Sequence, residues 1–145
     1  MWPEDAYLLQ LGRATYVFAY LEWAVIYLAQ ELSSERQVGA STGLTAGEVA
    51  RLMRGAIVET GRSVEVRSEA EAIAMRYERL TSRRNDIIHA HPATIDGDQR
   101  LHRKRRSGTQ VTVQIEHMDT FVDDCLLLSR DVNRLFWDLR DGRRT

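Results

Sequence analysis

The sequence predicts an all-α fold: a small bundle of four main helices with a β-hairpin inserted between the last two. Three observations carry this. Long stretches repeat apolar residues in alternating steps of three and four. Two Ser/Thr-x-x-Glu capping boxes stand at the head of such stretches. One stretch, between the third and fourth, changes to a period of two. The 145 residues suit a single domain. One cysteine, Cys125, rules out a disulfide framework and a cysteine-based zinc site. No apolar run approaches the ~20 residues of a membrane span. Met1-Trp2-Pro3-Glu4-Asp5 lacks a basic region, so no signal peptide, no membrane and a cytoplasmic location are expected.

The first helix runs from about Glu4 to Leu32. Tyr7, Leu11, Ala14, Phe18, Leu21, Val25, Leu28 and Leu32 form its seam, and such a helix would span roughly 40 Å. Tyr16, Val17, Tyr20 and Ala24 widen the apolar face, which serves either the protomer's own core or a partner. Ser33 to Gly43 reads as a loop. Thr45 caps a second helix through Glu48, and that helix carries Val49, Leu52, Met53, Ala56 and Ile57 to a stop near Gly61. Ser68-Glu69-Ala70-Glu71 opens a third, with Ile73, Tyr77, Leu80, Arg84 and Ile87 or Ile88 on one stripe. His91-Pro92 should end it, because the residue before proline avoids the α region.

In the next stretch, Arg100–Arg105 and Gln110–Ile115 flank the turn Arg106-Ser107-Gly108-Thr109, and Asp96-Gly97-Asp98 forms a separate turn leading in. The last helix, from about Met118 to Leu139, places Met118, Phe121, Cys125, Leu128, Val132, Leu135 and Leu139 on its apolar stripe. Cys125 and the aromatics Trp23, Tyr27 and Trp137 are read as packing residues. The tail Arg143-Arg144-Thr145 is expected to fray.

The net charge of −1 conceals an uneven distribution. Nineteen of the 20 basic residues are arginine. Gln99–Gln110 holds Arg100, Arg103, Lys104, Arg105 and Arg106 with no acid, so that segment is +5 and the remainder −6. These side chains, with Arg83, are candidates to grip RNA phosphates; the same charges would also serve a solvated strand edge that blocks pairing.

The chemically suggestive stretch is Arg83-Arg84-Asn85-Asp86-Ile87-Ile88-His89-Ala90-His91-Pro92. Arg84 falls on an apolar stripe, where a guanidinium requires a paired anion or a polar cleft. Asn85 and His89 share a helix face. Arg84 and His89 point about 140° apart on an ideal helix. They meet only through the reach of the arginine, through unwinding near Pro92, or across a dimer. Arginine can hold a phosphate, histidine can move a proton near neutral pH, and asparagine can orient either. Together they suit attack of a ribose 2′-OH on its own phosphodiester, which needs no metal or cofactor.

With 19 arginines a bare Arg-x4-His is common by chance, so Asn85 carries much of the specificity. Arg84-Asn85-Asp86-Ile87-Ile88-His89 resembles the Arg-Asn-x-x-x-His form of the Arg-x(4–6)-His motif of the HEPN superfamily (higher eukaryotes and prokaryotes nucleotide-binding domains). The resemblance implies one helical domain over residues 1–145 and a homodimer. It also implies a metal-independent endoribonuclease from a defence or toxin–antitoxin system, with an antitoxin or other defence-system protein as a further partner. Arg84 and His89 would be its catalytic pair, assisted by Asn85 and by an acidic or polar residue of an earlier helix, for which Glu22 is the candidate; His91, read first as part of the helix stop, is a second candidate helper beside the motif. A toxin subgroup carries tyrosine two residues after the histidine; His91 stands there, so regulation by nucleotide addition is not implied. Other members of the superfamily are non-catalytic dimerisation or nucleotide-binding modules.

Overall fold

The computed structural model describes residues 2–33 and 43–145; most of the Ser33–Gly43 loop expected from the sequence lies outside them. The described chain forms α1 (Asp5–Leu32), α2 (Ala46–Glu59), α3 (Val64–Ile88), β1 (His91–Ile95), β2 (Asp98–Lys104), β3 (Gln110–Val113) and α4 (Ile115–Arg140). The fold is therefore mostly helical, with a small antiparallel sheet between the last two helices. None of these helices is long and apolar enough to cross a membrane.

The seams form the core as their periodicity dictates. Tyr7, Ala14, Phe18, Leu21, Val25, Leu28 and Leu32 of α1 are buried, and so is the whole Met118–Leu139 stripe of α4 with Cys125 in it. α1 packs on α4 and α2, and α3 packs on α2 and α4. Stacking of Phe18 on Tyr77 and Phe121, at 5.8 and 6.0 Å between ring centroids, joins three helices at the centre. The α2 capping box forms: Glu48 N–H donates to Thr45 Oγ1 at 3.3 Å and Thr45 N–H to Glu48 Oε2 at 2.7 Å.

Four boundaries differ from expectation. α3 starts at Val64, four residues before Ser68, because Ser63 already supplies an N-cap, its Oγ accepting from Val66 N–H at 3.3 Å. It ends at Ile88, before His91-Pro92. α4 starts at Ile115, ahead of Met118. The C-terminal tail is tied down: Thr145 O accepts from Ser63 N–H at 3.1 Å, and Arg144 pairs with Glu69.

The hairpin has a third strand. β1 pairs with β2 and β2 with β3, both antiparallel. Asp96-Gly97 is a two-residue turn with φ of 51° and 88°, the left-handed pair that closes a tight hairpin. His91-Pro92 is thus the start of a strand, and proline is tolerated there because β1 lies at the sheet edge. Tyr7 anchors the sheet to α1. Its hydroxyl donates to Val113 O at 2.8 Å and accepts from Leu101 N–H at 3.0 Å, and Arg100 lies over its ring at 5.0 Å.

Candidate functional site

The motif residues occupy the last turn of α3, where helix, sheet and α1 converge. Arg84 follows Ile73, Tyr77 and Leu80 along the buried stripe and emerges, half-buried, into a notch between α1 and α3. The notch has a volume of about 110 Å³. Its walls are Ala14, Phe18, Ile87, Ile88 and Phe121, with Glu22 and Arg84 as its charged groups. The arginine on an apolar stripe thus does meet an anion in a cleft, as its chemistry demands.

The meeting is incomplete. Arg84 and Glu22 do not close into an ion pair; Arg84 Nη1 donates instead to Asn85 Oδ1 at 3.2 Å, and its guanidinium lies over Phe18 at 5.6 Å. Glu22 Oε2 accepts from Tyr77 OH at 3.3 Å. Burial raises the Glu22 carboxyl above its usual range, and the Tyr77 hydroxyl and Arg84 charge only partly oppose that. Burial raises the Tyr77 phenol as well, with the Glu22 charge adding to it. Tyr77 therefore acts as a neutral hydrogen-bond donor beneath the carboxylate.

His89 lies outside this notch. It is the C-cap of α3, with φ −100° and ψ 7°, and its backbone N–H reaches Asn85 O at 3.2 Å. Its ring is exposed and makes no hydrogen bond among the described residues. Unwinding at the cap does not turn it into the Arg84 cavity. His91 is exposed on β1, opposite His102 in the sheet register, with ring centroids 5.9 Å apart.

The basic segment is largely neutralised from within. Arg103 and Arg105 both pair with Asp86, Arg100 pairs with Glu4 and Asp98, and Arg83 pairs with Asp124. Lys104 and Arg106 are the two exposed cations of the segment without an ion pair among the described residues. A five-charge patch read from sequence becomes a two-charge tip on a braced sheet.

Asp86 is the residue that sequence reasoning missed. It sits between Asn85 and Ile87, 8% exposed, and accepts from Arg103 Nη1 and Arg105 Nε, each at 3.0 Å, and from Arg105 Nη2. Arginines two apart in an extended run point to the same side, so an acid facing them was a signal the sequence did contain. Beside it, a larger cavity of about 290 Å³ opens between α3, β3 and α4, walled by Ile87, Val111, Val113 and Phe121. Among the described residues no three His, Cys, Asp or Glu side chains form a metal-holding cluster.

Trp23, Tyr27 and Trp137, expected as packing residues, are 44%, 49% and 51% exposed. They stand beside Tyr20 along a groove between α1 and α4. The chain matches no family model, no curated protein and no solved structure.

Proposed function

We propose that this protein is a metal-independent endoribonuclease of the HEPN type, acting as a homodimer in a cytoplasmic defence or toxin–antitoxin system. The observation that carries the reading is Arg84: a half-buried guanidinium held by Asn85 at the mouth of a notch, one helical turn before an exposed histidine. An arginine left without a full counter-ion is ready to take a phosphate.

In this reading His89 removes the proton of the ribose 2′-OH. The 2′-oxygen attacks the adjacent phosphorus, and Arg84 stabilises the charge of the pentacovalent phosphate. The bond to the 5′-oxygen breaks and that oxygen takes a proton, leaving a 2′,3′-cyclic phosphate and a 5′-OH. Asn85 holds Arg84 in place. Glu22 balances the arginine between turnovers, and His91 stands near as a second imidazole. Because His89 lies outside the notch of its own chain, the pair is completed between two copies.

The test is incubation of the parent protein and His89→Ala with mixed RNA in EDTA, with the ends analysed for cyclic phosphate. Cleavage by the parent and its loss in the variant are expected; equal cleavage by both would sink the proposal. One observation favours a second reading, a non-catalytic dimerisation or nucleotide-binding module: the His89 ring has no hydrogen bond to orient it. Absence of cleavage by an intact dimer would select that reading.

A further inference from the structure

We propose that the groove between α1 and α4 is a stacking platform for unpaired bases of single-stranded RNA, separate from the notch that holds Arg84. In taking RNA as the ligand it rests on the functional reading above.

The groove has a volume of about 500 Å³. Tyr20, Trp23 and Tyr27 line one wall in steps of three and four on α1; Asn133, Phe136, Trp137 and Arg140 line the other on α4. The rings form a connected series. Trp23 and Tyr27 lie 6.0 Å apart, Tyr27 and Phe136 6.3 Å, and Phe136 and Trp137 5.1 Å. Phe136 is partly buried against the core, while Tyr20, Trp23, Tyr27 and Trp137 are each about half exposed. Asn133 Nδ2 donates to Tyr20 OH at 3.1 Å, setting a polar pair into the groove wall.

Charge decides between occupants. Arg140 lies over the rings of Phe136 and Trp137, at 5.8 and 6.0 Å, and has no ion pair among the described residues. Arg130, on the same stripe of α4, has none either. Among the described residues no carboxylate lines the groove. A row of exposed aromatic rings, tilted by 38° to 75° from one to the next, with an unneutralised guanidinium beside it suits a ligand that is aromatic and anionic at once, which describes a nucleotide strand whose bases stack on separate rings. A second copy of the same face is the competing occupant, and sedimentation of Trp137→Glu separates the two.

The position fits as well. Thr15, Ala19 and Glu22 of α1 line the Arg84 notch, while Tyr20 and Trp23, their immediate neighbours, line the groove. The two features flank one helix, so a strand crossing α1 can stack in one and present a phosphate to the other.

The experiment is fluorescence anisotropy of the full chain with a labelled, 2′-O-methylated single-stranded oligoribonucleotide, which binds but cannot be cleaved. Trp137→Ala and Trp23→Ala should each weaken binding about tenfold, in keeping with base stacking on an aromatic ring, and Trp137→Phe should restore most of it. Arg140→Gln should flatten the dependence of affinity on salt, by the share of one phosphate contact. Val58→Ala, a change at an exposed residue of α2, should bind like the parent. Two results would overturn the proposal. One is unchanged affinity in Trp23→Ala and Trp137→Ala. The other is a dimer in sedimentation that Trp137→Glu dissociates while RNA affinity stays the same, which would assign the groove to a second copy. Groove-dependent binding by a parent that cleaves no RNA would end the ribonuclease reading and leave the platform standing. His89-dependent cleavage with groove-independent binding would do the reverse.

Discussion

Arg84 and Asp86 lie two residues apart on α3, and each meets opposite charge on a neighbouring element, with opposite results. Asp86 faces the sheet and is paired twice: two guanidiniums converge on a nearly buried carboxylate. Arg84 faces α1 and is not. Its acid, Glu22, is bonded to Tyr77 and lies in the same notch without closing on it. A buried acid that accepts three charged hydrogen bonds holds structure together, because removing it leaves the guanidiniums without their counter-ion. A half-satisfied guanidinium in an open cleft retains the capacity to bind something else. The difference separates the braced side of α3 from the side that keeps an unpaired charge.

The largest expected effect is on activity, at the open side. Arg84→Ala should lower RNA cleavage by at least about 100-fold, the scale for loss of a group that stabilises transition-state charge. The melting temperature should move little, since no ion pair is lost. Initial rates on a defined RNA, with melting curves on the same samples, test both halves. A large loss of stability with activity retained would reverse the roles assigned to the two sides.

The closed side should show the opposite balance. Asp86→Ala removes three charge-assisted hydrogen bonds that hold the half-buried Arg103 and the exposed Arg105 to α3, and should cost about 3 kcal/mol, the scale of such bonds lost together. For a chain of this size that is a fall of about 10 °C in Tm. Urea melts of the variant against the parent measure it. A loss below about 1 kcal/mol would show that the sheet is held to α3 by packing alone. Tyr7→Phe should cost less, about 1–2 kcal/mol, by leaving Val113 O and Leu101 N–H without their buried partner.

Much of this was legible in the sequence, and what was not has physical reasons. The seam of α1 and the stripe of α4 could be read residue by residue, because helical burial has a fixed period. The site of Arg84 was legible from its misfit: a charged residue on an apolar stripe announces a cleft. The partner Glu22 followed from the family resemblance rather than from spacing. Strand β1 was not seen, since His91-Pro92 reads first as a helix stop and only a paired neighbour makes it an edge strand. The hairpin charge was over-read because its counter-ions, Glu4, Asp86 and Asp98, lie partly on other elements. Counting charges along a segment omits pairing across the fold. The exposure of Trp23, Tyr27 and Trp137 was hidden for a related reason: periodicity says which residues share a face, and assembly decides whether that face is covered.

The smallest effect sharpens the contrast through pH. Burial raises the Glu22 carboxyl in the folded chain above its usual value of 4.5. The folded state therefore holds the proton to higher pH than the unfolded chain does. The contribution of Glu22 to stability is complete below pH 4.5 and declines as pH rises through the raised value, where the folded chain must carry a poorly solvated charge. Glu22→Gln cannot undergo that decline. The difference in Tm, variant minus parent, should grow from pH 4 toward pH 7 and then level off. A gap independent of pH, measured in a single buffer series at constant ionic strength, would mean that Arg84 already neutralises Glu22 in full. The notch would then be a closed ion pair like the Asp86 clamp, and the case for an arginine free to take a phosphate would fall with it.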